Sequence, residues 1–280
     1  MNAVRLTNLP SQMGLGLRLP HIRQILAEKP AVAWFETHPE NFFGGGANIA
    51  ALEAVRVEWP LSLHGVGMGL GSAVAPDAGH LEQVASLVER LQPAAVSEHL
   101  CWNRVGAHYF NDLLPMPYTD EALALLVERV DAVQSRLRRT ILIENVSSYI
   151  EFTADIWAEA DFLAELARRS GCGILLDVNN FYVNQCNLGR DARQAMDALP
   201  VAVVGEIHIA GFETRDDGML LDTHGTPVCE AVWQLLDYAW QRFGPVPTLL
   251  ERDTHLPPLA DLLAEVAIGE ERMARHVATG

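Results

Sequence analysis

The amino-acid sequence predicts an α/β fold, a (β/α)8 TIM barrel occupying residues 1–280 as a single domain, with its core over about 14–263. Three observations carry that expectation. Eight short apolar runs of strand length alternate with segments long enough, and suitably spaced in apolar residues, to form helices. From the third run onward each finishes on a His or an acidic residue, and in this fold functional groups collect at the C-terminal ends of the strands. The length of 280 residues also suits, because barrels of about 250 residues commonly fold as one unit. An open doubly wound sheet would spread the same strand ends along an edge instead of gathering them around an axis.

In chain order, GLGLR (14–18) is the first strand candidate, and a helical stretch follows at 20–28. VAWFE (32–36) is the second, and its continuation THPENFFGGG sets His38, Glu40 and Asn41 in a glycine-ended loop. A short helix at 48–57 precedes LSLHG, which ends the third strand on His64. The glycine-rich VGMGLGSA leads to a helix at 77–91, where Leu81, Val84, Leu87, Val88 and Leu91 share an amphipathic face. AAVSEH (94–99) brings Glu98 and His99 to the end of the fourth strand. The long insertion LCWNRVGAHYFNDLLPMPYT then separates it from a helix at 119–136, and loops of such length tend to be functional.

ILIEN (141–145) carries Glu144 at the end of the fifth strand, with a helix at 155–169. GILLD, opening the stretch GILLDVNNFYVN (173–184), ends the sixth on Asp177. Asn179 and Asn180 follow where the backbone is expected to turn, before a helix at 190–198. VVGEIHIAG (203–211) holds Glu206 and His208, and the polar loop after it contains DTHG, with Asp222 and His224 two apart. A helix at 226–243, the strand TLLE (248–251) ending on Glu251, and a final helix at 258–275 complete the count.

Composition narrows the function. Apolar residues make 49% of the chain and charged residues 20%, with no low-complexity tract, as in a globular protein. No apolar run is long enough to span a bilayer, and MNAVRLTNLPSQ lacks the basic start and apolar stretch of a signal peptide, so a cytoplasmic protein with no membrane association is expected. A formal charge of −16 argues against binding nucleic acid or anionic lipid. Cys101, Cys172, Cys186 and Cys229 form no C-x-x-C pair, so they are read as reduced and structural.

A strand-end His taken singly is more often a hydrogen-bonded core residue than a ligand. Joint placement at one end of six successive strands changes that balance. His64, His99, Glu144, Asp177, Asn180, Glu206, His208, Asp222, His224 and Glu251 converge on one space, more donors than a single open metal site needs. Mixed imidazole and carboxylate donors without thiolate suit iron, zinc or manganese, and Glu144 or Glu251 is placed to bridge two ions. GVGMGLG (65–71) lacks a phosphate-binding Lys and is expected to be a flexible loop beside the metals. His21, His80, His255 and His276 lie away from strand ends and are expected to be solvated, while His108, Tyr109, Phe110 and Asn111 could line a substrate channel.

The motifs FETHPENF, LSLHGVGMGLGS, SEHLCW, ILIENVSSY, LLDVNNFYVN, EIHIAGF, DTHGTPV and LLERD, in this order, closely resemble the multinuclear non-heme iron-dependent oxidative enzymes, the group that includes the methanobactin biosynthetic oxidase. The resemblance runs from about Gly14 to about Leu263. It implies a TIM barrel holding two or three iron ions in a mixed Fe(II)/Fe(III) state, which uses dioxygen to modify a cysteine of a ribosomally made precursor peptide. By position it implies that His64, His99 and Glu144 form one part of the iron site and that Asp177, Asn180, His208, Asp222 and His224 form the rest, with Glu251 bridging. Some members carry Asp at the position of Asn180. A small partner protein that presents the precursor's leader is also implied. The alternative left open by the residues themselves is a divalent-metal-dependent hydrolase or sugar isomerase of xylose-isomerase-like fold.

Overall fold

The computed structural model describes residues 6–106 and 108–279, excluding the side chains of 277–279. Eight parallel strands close into a barrel: Met13–Gly16, Phe35–Thr37, Leu61–Gly65, Ala95–His99, Leu142–Glu144, Gly173–Asp177, Val204–Ile209 and Thr248–Leu250. The seam is sealed by the last strand pairing with the first, Met13 opposite Thr248 and Leu15 opposite Leu250. Helices lie between consecutive strands, as a parallel sheet buried on both faces requires.

The period-two alternation of each strand sorts the interior from the exterior. Leu61, Leu63, Ile143, Ile174, Leu176, Ile207 and Ile209 join the core shared with the helices. The residues between them, including Ser62, His64, Glu144, Asp177, Glu206 and His208, are buried but outside that apolar cluster. The barrel floor is a separate apolar plug of Leu9, Trp34, Ala95 and Leu249. Trp34 fills the space where a side chain at Gly14 would stand, and its indole N–H donates to Gln12 O at 3.1 Å. The barrel is therefore apolar at one end and densely ionisable at the other.

Two loops carry extra structure. The insertion after the fourth strand is an antiparallel hairpin, Trp102–Val105 with His108–Leu114, and a smaller one pairs Glu213–Thr214 with Leu220–Leu221. The asparagine-rich turn expected after Asp177 is instead the first turn of a helix, Val178–Leu188. Asp177 Oδ1 caps that helix by accepting from Asn180 N–H at 2.6 Å, so the Asp-x-x-Asn signal is an N-cap and not a chain reversal. The glycine-rich segment 65–71 is not a loose loop either. Met68 and Leu70 are buried, Gly71 N–H donates to Cys101 O at 2.7 Å, and Asn103 occupies the space beside Gly69, whose positive φ of 55° favours glycine. Among the described residues no helix is long and apolar enough to cross a membrane.

Candidate metal centre

Parallel register brings the strand ends level. His64 and His99 direct their Nε2 atoms at one oxygen of Glu144, each at 3.0 Å, and the two nitrogens stand 3.2 Å apart. Two imidazole nitrogens and a carboxylate oxygen at these separations outline one face of a coordination shell, since ligands about 2.1 Å from a metal sit about 3.0 Å apart at adjacent octahedral corners. Each ring is fixed from behind: Ser97 Oγ lies 2.8 Å from His64 Nδ1, and Gly65 O lies 3.0 Å from His99 Nδ1. Such outer contacts set which nitrogen is left for a metal.

The second half of the centre surrounds His208 and Glu251. His208 Nδ1 is 3.1 Å from Glu251 Oε2 and 3.8 Å from the other oxygen of Glu144. Glu144 thus faces His64 and His99 with one oxygen and His208 with the other, and Asp177 joins Glu144 and His208 within a ligand-sized cluster. Glu251 Oε2 also lies 3.3 Å from His224 Nδ1, and His224 Nε2 is 2.7 Å from Asp222 Oδ1. Asn180 sits beside them with its side-chain N–H donating to Asn145 O at 3.0 Å and its Oδ1 unpaired. All nine residues expected from the sequence to hold metal are therefore gathered at one end of the barrel.

The donor chemistry fits metal. Glu144 Oε2, Asp177 Oδ2, Asn180 Oδ1, His208 Nδ1 and His224 Nε2 are buried without a hydrogen-bond partner. A polar atom buried in that condition costs roughly 1–3 kcal/mol and needs an occupant. A cavity of about 130 Å³ opens among His64, His99, Glu144, Asn180, Asp222, His224 and Glu251. Imidazole and carboxylate donors without sulfur suit iron, manganese or zinc.

Electrostatics express the same crowding. Burial opposes charge on His64, yet the Glu144 and Glu36 carboxylates hold its pKa up at about 10. Burial with too little compensation pushes its neighbour His99 down to about 4, so the pair shares one proton above Glu144. His208 and His224 are raised against their burial by Glu36 and Glu251 and by Asp222 and Glu251 respectively. Asp177 is raised by burial and by Glu144. A divalent ion bound there would replace these protons and remove the conflict.

Several contributors lie outside the residues singled out from the sequence. Glu36 accepts from Ser62 Oγ at 2.8 Å and faces His208 Nε2 at 3.1 Å, with Glu206 Oε1 3.5 Å from the same nitrogen. Arg18 reaches Glu251 at 3.2 Å and makes a close ion pair with Asp253, which also lies 3.1 Å from His224 Nδ1. Glu36 and Arg18 obey the strand-end rule at the first two strands, where it had not been applied. Of the histidines expected to be solvated, His255 is exposed, but His21 is buried against Pro257 O and His80 lies half-buried 3.2 Å from Glu40. Tyr109, Phe110 and Asn111 line a cavity of about 370 Å³ that shares Val66, Leu113, Ser147 and Asp222 with the metal cavity. Cys101 is fully buried and Cys186 exposed.

The model of the RiPP precursor modification enzymes MbnB/TglH/ChrH matches residues 12–274. The chain belongs to this family. Its relatives include a UPF0276 protein of Chromobacterium violaceum, 53% identical over 94% of this chain and 95% of its own. A UPF0276 protein of Acaryochloris marina is 45% identical with 94% and 95% covered. Among solved structures the barrel is similar to the IOLI protein with a bound zinc atom, at 13% identity, TM-score 0.61 and coverage of 96% and 98%. It is also similar to the 3-keto-D-glucoside 4-epimerase of E. coli, at 15% identity, TM-score 0.59 and coverage of 92% and 98%. These two likenesses show the fold, a TIM barrel; membership of the MbnB/TglH/ChrH family identifies the chain as an enzyme that modifies ribosomally made precursor peptides.

Proposed function

We propose that this family member is a multinuclear iron, dioxygen-dependent oxidase that modifies cysteine residues of its precursor peptide, with a small leader-binding protein as partner. The observation that carries the reading is the convergence of His64, His99, Glu144, Asp177, Asn180, His208, Asp222, His224 and Glu251 with so many donor atoms unpaired. Two carboxylates, Glu144 and Glu251, each face two separate imidazole groups, which favours more than one ion. Iron bound there in two oxidation states would supply one-electron chemistry with dioxygen.

The protein residues do the rest. Ser97, the Gly65 carbonyl and Glu36 stand behind three imidazoles and restrict their orientation. Val66, Leu113 and Val146 line the metal cavity and restrict water, while residues of the strand His108–Leu114 line the adjoining cavity. His38 lies 3.1 Å from the His64 carbonyl through Nδ1, and its Nε2 stands 3.9 Å from Asp253 Oδ1 at the edge of the cavity. The acidic chain, at −16, suits a basic leader or partner.

Anaerobic purification followed by elemental analysis and Mössbauer spectroscopy tests the metal. Two or more irons per chain with a mixed-valence fraction, together with dioxygen uptake that depends on a cysteine-containing peptide, is the expected result. Zinc or manganese without iron after iron-supplemented expression overturns it in favour of hydrolase or isomerase chemistry.

A further inference from the structure

A second and larger cavity, about 610 Å³, lies outside the barrel axis on the same face as the metal centre. The loop after the fifth strand connects the two: Ser147 lines the metal cavity, Tyr149 the approach, and Glu151 and Phe152 the larger cavity. The helix Val178–Leu188 does the same, with Asn180 on the metal side and Phe181 and Asn184 on the other. Three buried atoms bordering the larger cavity have no hydrogen-bond partner: Tyr118 Oη, Glu159 Oε1 and Arg190 Nη1. Glu159 spends its other oxygen on Asn184 Nδ2 at 3.2 Å, and Arg190 Nη1 stops 3.8 Å from it, too far for a hydrogen bond. Burial pushes the Glu159 carboxyl up to about 7, in spite of the Arg190 guanidinium and the Tyr118 and Asn184 side chains beside it. None of these residues belongs to the metal centre.

The unpaired set is one acceptor, one cationic donor and one hydroxyl that can act as either. A carboxylate or phosphate would satisfy Arg190 but confront Glu159, and an ammonium group would do the reverse. A neutral group that offers a carbonyl and an N–H together satisfies both, and the peptide amide is such a group. Phe152, Trp157 and Phe181 add apolar walls, and the volume lies in the range of about 300–1,000 Å³ typical of ligand sites.

We propose that the cavity bounded by Tyr118, Phe152, Glu159, Phe181 and Arg190 is a peptide subsite that binds a backbone amide and an adjoining aromatic or aliphatic side chain of the precursor, flanking the cysteine held at the metal centre. The chemistry of the pocket stands on its own geometry; assigning its occupant to the precursor rests on the function proposed above. The subsite sets which sequence around a cysteine is accepted, because the flank is anchored a loop away from the reacting residue.

The test uses the full metal-loaded chain and N-acetyl-L-phenylalanine N-methylamide as probe, with 3-phenylpropionate and phenethylamine carrying the same ring on an anion and a cation. Calorimetry should show the blocked amino acid binding at least tenfold tighter than either charged analogue. Ala195→Trp, which fills the cavity from the helix Ala192–Ala198, should lower that affinity at least tenfold without changing iron content. Phe152→Ala, on the loop, should lower it severalfold and serves if the tryptophan variant does not fold. Equal binding of the three probes, or affinity unchanged in both variants, overturns the site. Dioxygen uptake with synthetic peptides carrying phenylalanine at successive distances from a cysteine tests the occupant: KM should fall at one spacing, and that dependence should vanish in the pocket variants. Uptake indifferent to spacing, alongside intact probe binding, overturns the precursor assignment. Absence of uptake with every peptide, with probe binding preserved, defeats the oxidase reading and leaves the amide site standing.

Discussion

Glu36 is the most informative residue to perturb, because its short contact with the centre is with His208, while it acts on His64 only through its charge. Its Oε1 lies 3.1 Å from His208 Nε2, Ser62 holds its other oxygen, and it is 1% exposed, so bulk water does not replace it. Partners that orient a metal-bound imidazole are worth roughly 10–100-fold in metal affinity, about 1.4–2.7 kcal/mol. Glu206 Oε1 stands 3.5 Å from the same nitrogen and can take over part of the role. Glu36→Ala should therefore weaken Fe(II) binding at the lower end, about tenfold, and the double change Glu36→Ala with Glu206→Ala should approach a hundredfold. Glu36→Gln keeps an acceptor without the charge and should lose less than either. Anaerobic competition against a chromogenic chelator measures the affinities, with far-UV circular dichroism confirming the barrel. Affinity within twofold of the parent in both the single and the double variant would refute the idea that His208 is oriented for metal from behind.

Three further outcomes are expected. His99→Ala and Glu251→Ala should lose iron binding and turnover together, and a variant that keeps both removes that residue from the ligand set. Iron uptake should release protons and tighten as pH rises, because His64, at about 10, and His208 and His224, raised by their carboxylate neighbours, hold protons at pH 7 that the metal displaces; calorimetry in buffers of different ionisation enthalpy reads the protons, and a count of zero contradicts this. Phe162→Ala, at a fully buried position with its ring tilted against Tyr118, should cost about 3–5 kcal/mol in urea unfolding, and a loss below 1 kcal/mol would mean that this part of the core repacks freely.

The barrel was legible because its strands are short, β-branched or leucine-rich, and separated by amphipathic helices, a pattern few other folds share. The site was legible for the same reason: parallel register makes strand ends neighbours, so His64, His99, Glu144, Asp177, His208 and Glu251 could be grouped without knowing any distance. What the strand-end rule does not supply is side-chain direction. Glu36 and His208 meet across the barrel, and Arg18 reaches Glu251 and Asp253 only because the first and eighth strands close the seam. The hairpin after His99 was legible only as a long loop, since its exposed strand His108–Leu114 has no clean alternation. The turn expected at Asn179 and Asn180 is a helix start instead, because a cap and a turn use the same short polar side chains and the burial of Phe181 and Val183 behind them is not visible in residue type alone.

The ligand-bearing strands run in unbroken sequence from His64 in the third to Glu251 in the eighth. In a chain emerging from the ribosome, no partial product contains the whole set until the last strand has been made. Binding of the complete set would thereby wait for barrel closure, and an ion held by His64 and Glu251 together would cross-link segments separated by 187 positions. A free ion that binds only the closed form at a thousand times its dissociation constant would deepen stability by about 4 kcal/mol. Chains cut short before Thr248 should emerge without iron and be cleared by proteolysis, so that reactive metal is never carried on an open scaffold.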